Sequence, residues 1–154
     1  MKGVKEIDHG WKRIKREIIK MADSYVKVGI LSNAGTYATE GGTINVVDVA
    51  TFNEFGTSII PERPFMRQTF EKRRGHVNRR FESLVSDIYI GSKNVRSALG
   101  TVGEEYKGFI QSEIVGGGWV SNAPSTVSKK KSSQPLIDTG RLRQSINFDV
   151  EVNG

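Results

Sequence analysis

The chain offers few side chains that could perform covalent chemistry. Its only two histidines are His9 and His76, and cysteine is absent. We expect both histidines to lie on the surface rather than to act as a general base. Without thiolates, the chain can form neither a disulfide framework nor a zinc site built from cysteines.

The motifs that carry common enzymatic chemistry are missing as well. The chain contains no H-E-x-x-H, no G-x-S-x-G and no G-x-x-x-x-G-K-[ST]. GSK at 91–93 lacks the upstream glycine of a phosphate loop, and Glu104 and Glu105 are adjacent, so on a helix their carboxylates point in different directions. We therefore expect no enzyme, no catalytic residue, no metal site and no cofactor, with a two-carboxylate hydrolase as the open alternative.

Positive charge is concentrated in the first half of the chain. The net charge is +6, and residues 1–80 carry the whole excess. Two groups of basic residues could lie near DNA. They are Arg73, Arg74, Arg79 and Arg80 in one group, and Lys129, Lys130 and Lys131 in the other. A solvated face is the alternative interpretation, and contact with DNA phosphates would weaken steeply as salt rises.

The first half of the chain predicts a helix, a strand, a loop and a second helix. Apolar residues recur at helical spacing over 4–22, which predicts an amphipathic helix whose apolar stripe belongs to the core or to an interface. These residues are Ile7, Trp11, Ile14, Ile18 and Met21. SYVKVGIL at 24–31 is typical of a strand and SNAGTYATEGGTIN at 32–45 of a loop. The spacing in VVDVATFNEF favours a helix that ends at Gly56, although its β-branched residues would also suit a strand.

The second half predicts longer helices and a closing strand. A helix should begin near Pro64 and be kinked or broken by Gly75, with helices over about 76–90 and 94–115 packed antiparallel. Four residues of the first of these helices should face inward. They are Phe65, Met66, Thr69 and Phe70.

Residues 116–135 are rich in Gly, Ser and Lys and predict a mobile loop or arm. A short helix capped by Asp138 or Thr139 should follow, and then a strand, NFDVEV, with alternate residues on one face. The 154 residues suit a single domain. No apolar run approaches the roughly 20 residues that span a bilayer, so we expect no membrane partner.

Three stretches of the chain resemble a family of small tailed-phage proteins. NEFGTSIIPERPFMRQTF resembles the pattern HEFG…IPARPFLRPAF, and APSTVSKKKSSQPLIDTGRLRQSI resembles a polar segment that leads into PLIDTGRLRxSI. VKVGIL resembles the strand that precedes both. The three lie in the family's order, although Asn53 stands where many relatives have histidine. The family comprises neck, tail-completion and virion-morphogenesis proteins, together with some minor tail proteins.

The resemblance implies an α+β fold, with a small antiparallel sheet packed against long helices and an extended loop or arm. It also implies a structural protein of the virion at the head–tail junction, assembled in the bacterial host cytoplasm. Its expected partners are copies of itself in a ring that is often hexameric, the connector or adaptor, and the tail tube or tail terminator. A tail terminator, a minor tail protein and a non-specific DNA-binding protein are the alternatives.

Within such a ring, the turn between the two prolines could present side chains to a neighbouring subunit. We expect Phe55 and Phe65 to anchor it and Arg63 to pair with a neighbouring acid. The full set of expected interface residues is Phe55, Gly56, Arg63, Pro64, Phe65, Thr139 and Arg141. The open alternative is that this turn packs within its own subunit, and Thr139 is equally suited to capping a helix.

Overall fold

A computed structural model describes Asp8 and residues 10–39, 41–130 and 132–153. The fold is α+β with long helices, as predicted, although the described strands form two separate two-stranded antiparallel sheets. In chain order the elements are α1 (Trp11–Met21), β1 (Tyr25–Ile30), β2 (Thr36–Thr39), β3 (Gly42–Asn45), α2 (Val46–Phe55), α3 (Phe65–Ile90), α4 (Val95–Gly116), α5 (Pro124–Lys129), α6 (Arg141–Gln144) and β4 (Ile146–Glu151).

The first sheet joins the two ends of the described chain. β1 pairs with β4 in antiparallel register, from Tyr25 opposite Glu151 to Ile30 opposite Ile146. Val26 and Val150 lie opposite one another and pack against the hydrophobic cluster between α3 and α4. Both strands were predicted, and the alternation of apolar and polar residues explains why one face of the sheet is covered.

The helices α3 and α4 form an antiparallel pair. Gln68 near the start of α3 donates to Glu113 near the end of α4 at 2.7 Å, while Arg80 further along α3 lies 2.8 Å from Glu105. The prediction that Gly75 breaks α3 is wrong, since the helix runs without interruption for 26 residues. One glycine costs a helix only about 1 kcal/mol, which the packing against α4 offsets.

Asn94 is the N-cap of α4, at the position where the predicted helix begins. Its side chain accepts a hydrogen bond from the Ser97 amide at 2.8 Å. The Asn94 amide in turn donates to the Ser97 hydroxyl at 3.2 Å, which completes a capping box. This cap fixes the end of the short connection from α3.

Residues 36–45 form a hairpin rather than the predicted loop. β2 and β3 pair with Tyr37 opposite Ile44, and the Val46 amide donates to the Gly35 carbonyl at 3.1 Å. Because glycines are typical of loops, the sequence did not reveal a short alternation of exposed and half-buried side chains. Tyr37 and Ile44 are the half-buried residues of this alternation. Tyr37 packs against the main hydrophobic cluster, and this contact gives the hairpin its inner face.

The first helix is shorter than predicted and is docked differently. It begins at Trp11 after Gly10, whose φ is 99°; residues 1–7 and His9 lie outside the described part of the chain. None of its residues is fully buried and Trp11 is 65% exposed, but Met21 of the predicted stripe packs against the cluster between α3 and α4. In addition, Arg13 donates to the Ile88 carbonyl at 3.1 Å, and Glu17 accepts from the Val95 amide at 3.0 Å.

The core consists of two clusters of buried side chains. One lies around Phe65 and Ile110, and the other lies between α3 and α4 around Leu84 and Val102. The inward orientation predicted for Phe65 and Thr69 is confirmed, whereas Phe70 is 51% exposed, so that prediction is wrong.

After the end of α4, the described residues up to 135 contain one regular element, the helix α5, where a loop was predicted. This segment also contacts the rest of the chain. Trp119 packs against the cluster around Phe65, and its indole N–H lies 3.2 Å from the carbonyl of Glu113. The mobility of this segment stays a prediction.

We expect Gly103→Ala to destabilise the fold because α4 approaches the first sheet closely at this residue. A Cβ on Gly103 would lie 2.5 Å from Phe148 Cδ2 and 3.0 Å from Val26 Cγ2. The loss should be about 1–3 kcal/mol in the free energy of unfolding, measured by urea titration. Gly108→Ala in the same helix is the matched control, because its Cβ would meet nothing within 4 Å. It should gain about 0.5–1 kcal/mol, and equal effects would contradict this account.

We expect Tyr106→Phe to stabilise the protein by about 1 kcal/mol at pH 7. The Tyr106 hydroxyl is buried and has no hydrogen-bond partner among the described residues, so removing it removes a desolvated polar group. Tyr25→Phe is the control, since the Tyr25 hydroxyl donates to Glu151 at 2.7 Å and its loss should destabilise. Urea titrations of both variants test this expectation.

The difference in the free energy of unfolding between the Tyr106→Phe protein and the wild type should increase at high pH. Burial, and to a lesser extent the charge of Glu71, raise the pKa of Tyr106 from 10.0 to about 12. Above pH 10 the unfolded tyrosine ionises while the folded one stays protonated, so the wild type loses stability as pH rises towards 12. If the stability difference between the two proteins were the same at pH 9 and at about 11.5, the raised pKa of Tyr106 would be contradicted.

Candidate interaction site at the hinge

The hinge is the segment from Gly56 to Pro64, and its own backbone closes it. The Arg63 amide donates to the Asn53 carbonyl at 2.6 Å, and the Thr57 amide donates to the Ile60 carbonyl at 2.8 Å. Gly56 has a φ of 71°, and a Cβ there would lie 3.1 Å from the Glu62 nitrogen. Glycine at position 56 is therefore required by the turn itself, whether or not a neighbour contacts it.

Glu54 caps the helix that follows the hinge. Pro64 occupies the N-cap position of α3, and its side chain has no hydrogen-bond acceptor. The buried carboxylate of Glu54 accepts from the Met66 amide at 2.9 Å and from the Arg67 amide at 3.0 Å. A negative charge at a helix N-terminus is favourable, so Glu54 joins the end of α2 to the start of α3.

Arg63 ties the hinge to the segment after α4. Its side chain donates to the Val120 carbonyl at 3.0 Å, the Asn53 side chain at 3.0 Å and the Asn122 side chain at 3.1 Å. Burial lowers the pKa of Arg63, which is only 3% exposed. The prediction that Arg63 pairs with an acid of a neighbouring subunit is therefore wrong, because its donors are used within its own chain.

The aromatic residues of the hinge point in opposite directions. Phe65 is fully buried in the main cluster, so it cannot anchor a neighbour as predicted, and Pro64 is half-buried beside it. Phe55 is 64% exposed, and the Arg67 guanidinium lies 5.0 Å from its ring centre. Phe52 on the same helix is also exposed, and Ile59 at the tip of the hinge is 89% exposed. Phe52, Phe55 and Ile59 are thus exposed apolar side chains of α2 and the hinge, and we call this set the hinge surface.

The second motif lies beside the hairpin. α6 begins after Gly140, whose φ is 78°, and no side chain caps it, so the predicted caps Asp138 and Thr139 are wrong. Thr139 is exposed. Arg141 donates to the Thr36 carbonyl and lies over the Tyr37 ring, 5.4 Å from its centre, so in this structure its contacts are within the chain.

An open cleft of about 410 Å³ lies where the two motifs meet. Its walls come from the hairpin, α2, the hinge, α5 and the segment before α6. Its polar lining includes Arg63, Asn122, Lys130 and Asp138. The two motifs, which are separated by more than 50 residues in sequence, thus share one site.

The basic residues proposed to lie near DNA do not form one surface. Arg73 lies over the Phe109 ring at 4.6 Å and Arg80 pairs with Glu105, while Arg74 and Arg79 are exposed on α3. Lys129 is exposed on α5.

Lys130 is half-buried in the hinge cleft, away from the basic run of α3, and donates to the Pro135 carbonyl at 2.9 Å. Lys131 lies outside the described part of the chain.

Sequence reasoning missed Glu54 and Asn122. A proline at the start of a helix cannot supply a capping acceptor, and this was a signal that an acidic residue nearby would do so. No local pattern signals Asn122, since its role depends on the path of the chain after α4. His76 lies on the surface, 3.4 Å from Glu105. Within the described ranges, no cluster of three or more potential metal ligands occurs, and no helix is long and apolar enough to cross a membrane.

We expect Arg63→Lys to destabilise the fold by about 3 kcal/mol, because an ammonium group cannot reach the separate acceptors that the guanidinium joins. Amide hydrogen exchange should accelerate at residues 119–123. Arg74→Lys is the control, since Arg74 is exposed, and its effect should stay within about 0.5 kcal/mol. Unchanged exchange at 119–123 in the Arg63→Lys protein would contradict the bridging role.

Comparisons with known proteins provide neither a family nor a function for this chain. No protein-family model, no curated protein and no solved structure matches it. The resemblance to tailed-phage proteins therefore stays a prediction, and the function that follows from it is a proposal.

Proposed function

We propose that the chain is a structural protein of a phage virion at the head–tail junction, a ring-forming subunit that joins the connector to the tail. The observation that carries the proposal is the hinge surface, an apolar surface on a braced turn. The two sequence motifs on which the resemblance rests meet beside it in one site. Assembly would take place in the bacterial host cytoplasm.

The construction of the hinge supports a role in contact rather than in catalysis. Glu54 and Arg63 fix the turn from both sides, so little conformational entropy is lost when a partner binds. The Arg67 guanidinium lies against the Phe55 ring, and the ring remains largely exposed to solvent. Exposed apolar groups on a rigid scaffold are typical of protein–protein interfaces.

Non-specific DNA binding is the second candidate function. Arg74 and Arg79 on the exposed side of α3 favour it. Lys72 and Arg80 favour it less, because Glu113 and Glu105 neutralise them. A ring around DNA would combine both roles.

We expect the purified chain to self-associate as its concentration rises, and Phe55→Asp to weaken that association at least tenfold, or by about 1.4 kcal/mol. The aspartate would place a charge in an apolar contact. Sedimentation velocity gives the association constant, and circular dichroism shows whether the fold is retained. Ile90→Asp is the matched control, since Ile90 is an exposed apolar residue at the far end of α3.

Two results would overturn the proposal. One is an equal loss of association in both variants. The other is an electron-microscopy map of the virion in which the head–tail region lacks this chain. A chain that is monomeric alone but joins rings when connector or tail-tube protein is added would agree with it.

A further inference from the structure

The hinge cleft holds more positive than negative charge. Among the residues that line it, Arg63 and Lys130 are cationic and Asp138 is anionic. Burial lowers the pKa of Lys130; the charge of Asp138 opposes this shift, and that of Arg63 adds to it. The described residues that line the cleft thus carry one positive charge in excess.

The hydrogen-bond acceptors of the two cations are neutral. The hydrogen bonds of Arg63 run to carbonyls of residues 120 and 121 and to the side chains of Asn53 and Asn122. Lys130 Nζ lies 2.9 Å from the Pro135 carbonyl and 3.4 Å from the Ile137 carbonyl. Neutral oxygens satisfy the donors but do not cancel the charge, so an anion entering the cleft would be attracted.

A buried donor in the same wall is left without an acceptor. Asn122 Oδ1 accepts from Arg63, while Asn122 Nδ2 is buried and has no hydrogen-bond partner among the described residues. Leaving a buried amide N–H unpaired is unfavourable, and an acceptor that reached it would recover that free energy.

The remaining walls are largely apolar. Ile44, Ile60, Leu136 and Leu142 line the cleft, which has the volume of a small-ligand site, about 410 Å³. Such walls suit an aliphatic stem that ends in a charged group. One excess charge matches a carboxylate, whereas Asp138 would oppose a phosphate dianion more strongly.

We propose that the hinge cleft binds the side-chain carboxylate of an acidic residue on a partner polypeptide, with Lys130 and Asn122 as its donors. Arg63 contributes charge from behind and holds Asn122 in place. The aliphatic part of the bound segment lies against Ile60 and Leu136. Binding is a property of the single chain, so it does not require that the chain form rings.

The test compares two blocked dipeptides that differ only in one group. The probe is N-acetyl-isoleucyl-glutamate amide, and its neutral match is N-acetyl-isoleucyl-glutamine amide. Each is titrated into the full ¹⁵N-labelled chain and followed by nuclear magnetic resonance. The glutamate peptide should shift the Asn122 side-chain amide and the backbone around Lys130 saturably, with a millimolar dissociation constant. The glutamine peptide should bind about tenfold more weakly.

Lys130→Gln should weaken binding of the glutamate peptide about tenfold, since it removes the more accessible of the two cations. Lys129→Gln is the matched control because Lys129 is the preceding residue on α5 and does not line the cleft, and it should leave binding unchanged. Equal binding of the two peptides, no saturable shift, or full binding by the Lys130→Gln protein would each overturn the proposal. None of these outcomes bears on self-association, which sedimentation measures separately.

Discussion

The hinge depends on the burial of a guanidinium without a carboxylate beside it. Arg63 is 3% exposed, and a charge in that position is tolerated only if its donors are satisfied. The required oxygens come from α2 and from the segment after α4, which lie far apart in sequence. The need to surround one side chain therefore determines the path of residues 119–122 and the position of the cleft beside them.

Local pattern predicted the elements whose signals are local. The strand alternation of β4, the glycine that ends α2 and the cap at Asn94 could all be recognised from a few neighbouring residues. The hairpin at residues 36–45 could not, because its glycines are typical of loops and its inner face consists mainly of Tyr37 and Ile44. The uninterrupted α3 was missed because packing against α4 outweighs the weak helix propensity of Gly75.

The two motifs that the sequence singles out line one cleft, but their contacts were not predictable. Arg63 and Phe65 face inward, and of the two aromatic anchors that were expected only Phe55 is exposed. Sequence cannot tell which side of a turn a residue faces when the partner is distant in the chain. The same limit applies to α1, where the polar residues Arg13 and Glu17 contact the body of the protein and Trp11 faces solvent.

The pairing of β1 with β4 has a consequence for how the chain folds. Residue 30 must meet residue 146, so more than a hundred residues separate the partners of this sheet. Closing so long a loop is entropically costly, and such distant pairing is associated with slow folding. During synthesis the sheet cannot form until residue 151 has emerged from the ribosome, whereas α3 and α4 can already pair. The helical hairpin is thus available as an early scaffold, and β4 completes the first sheet afterwards.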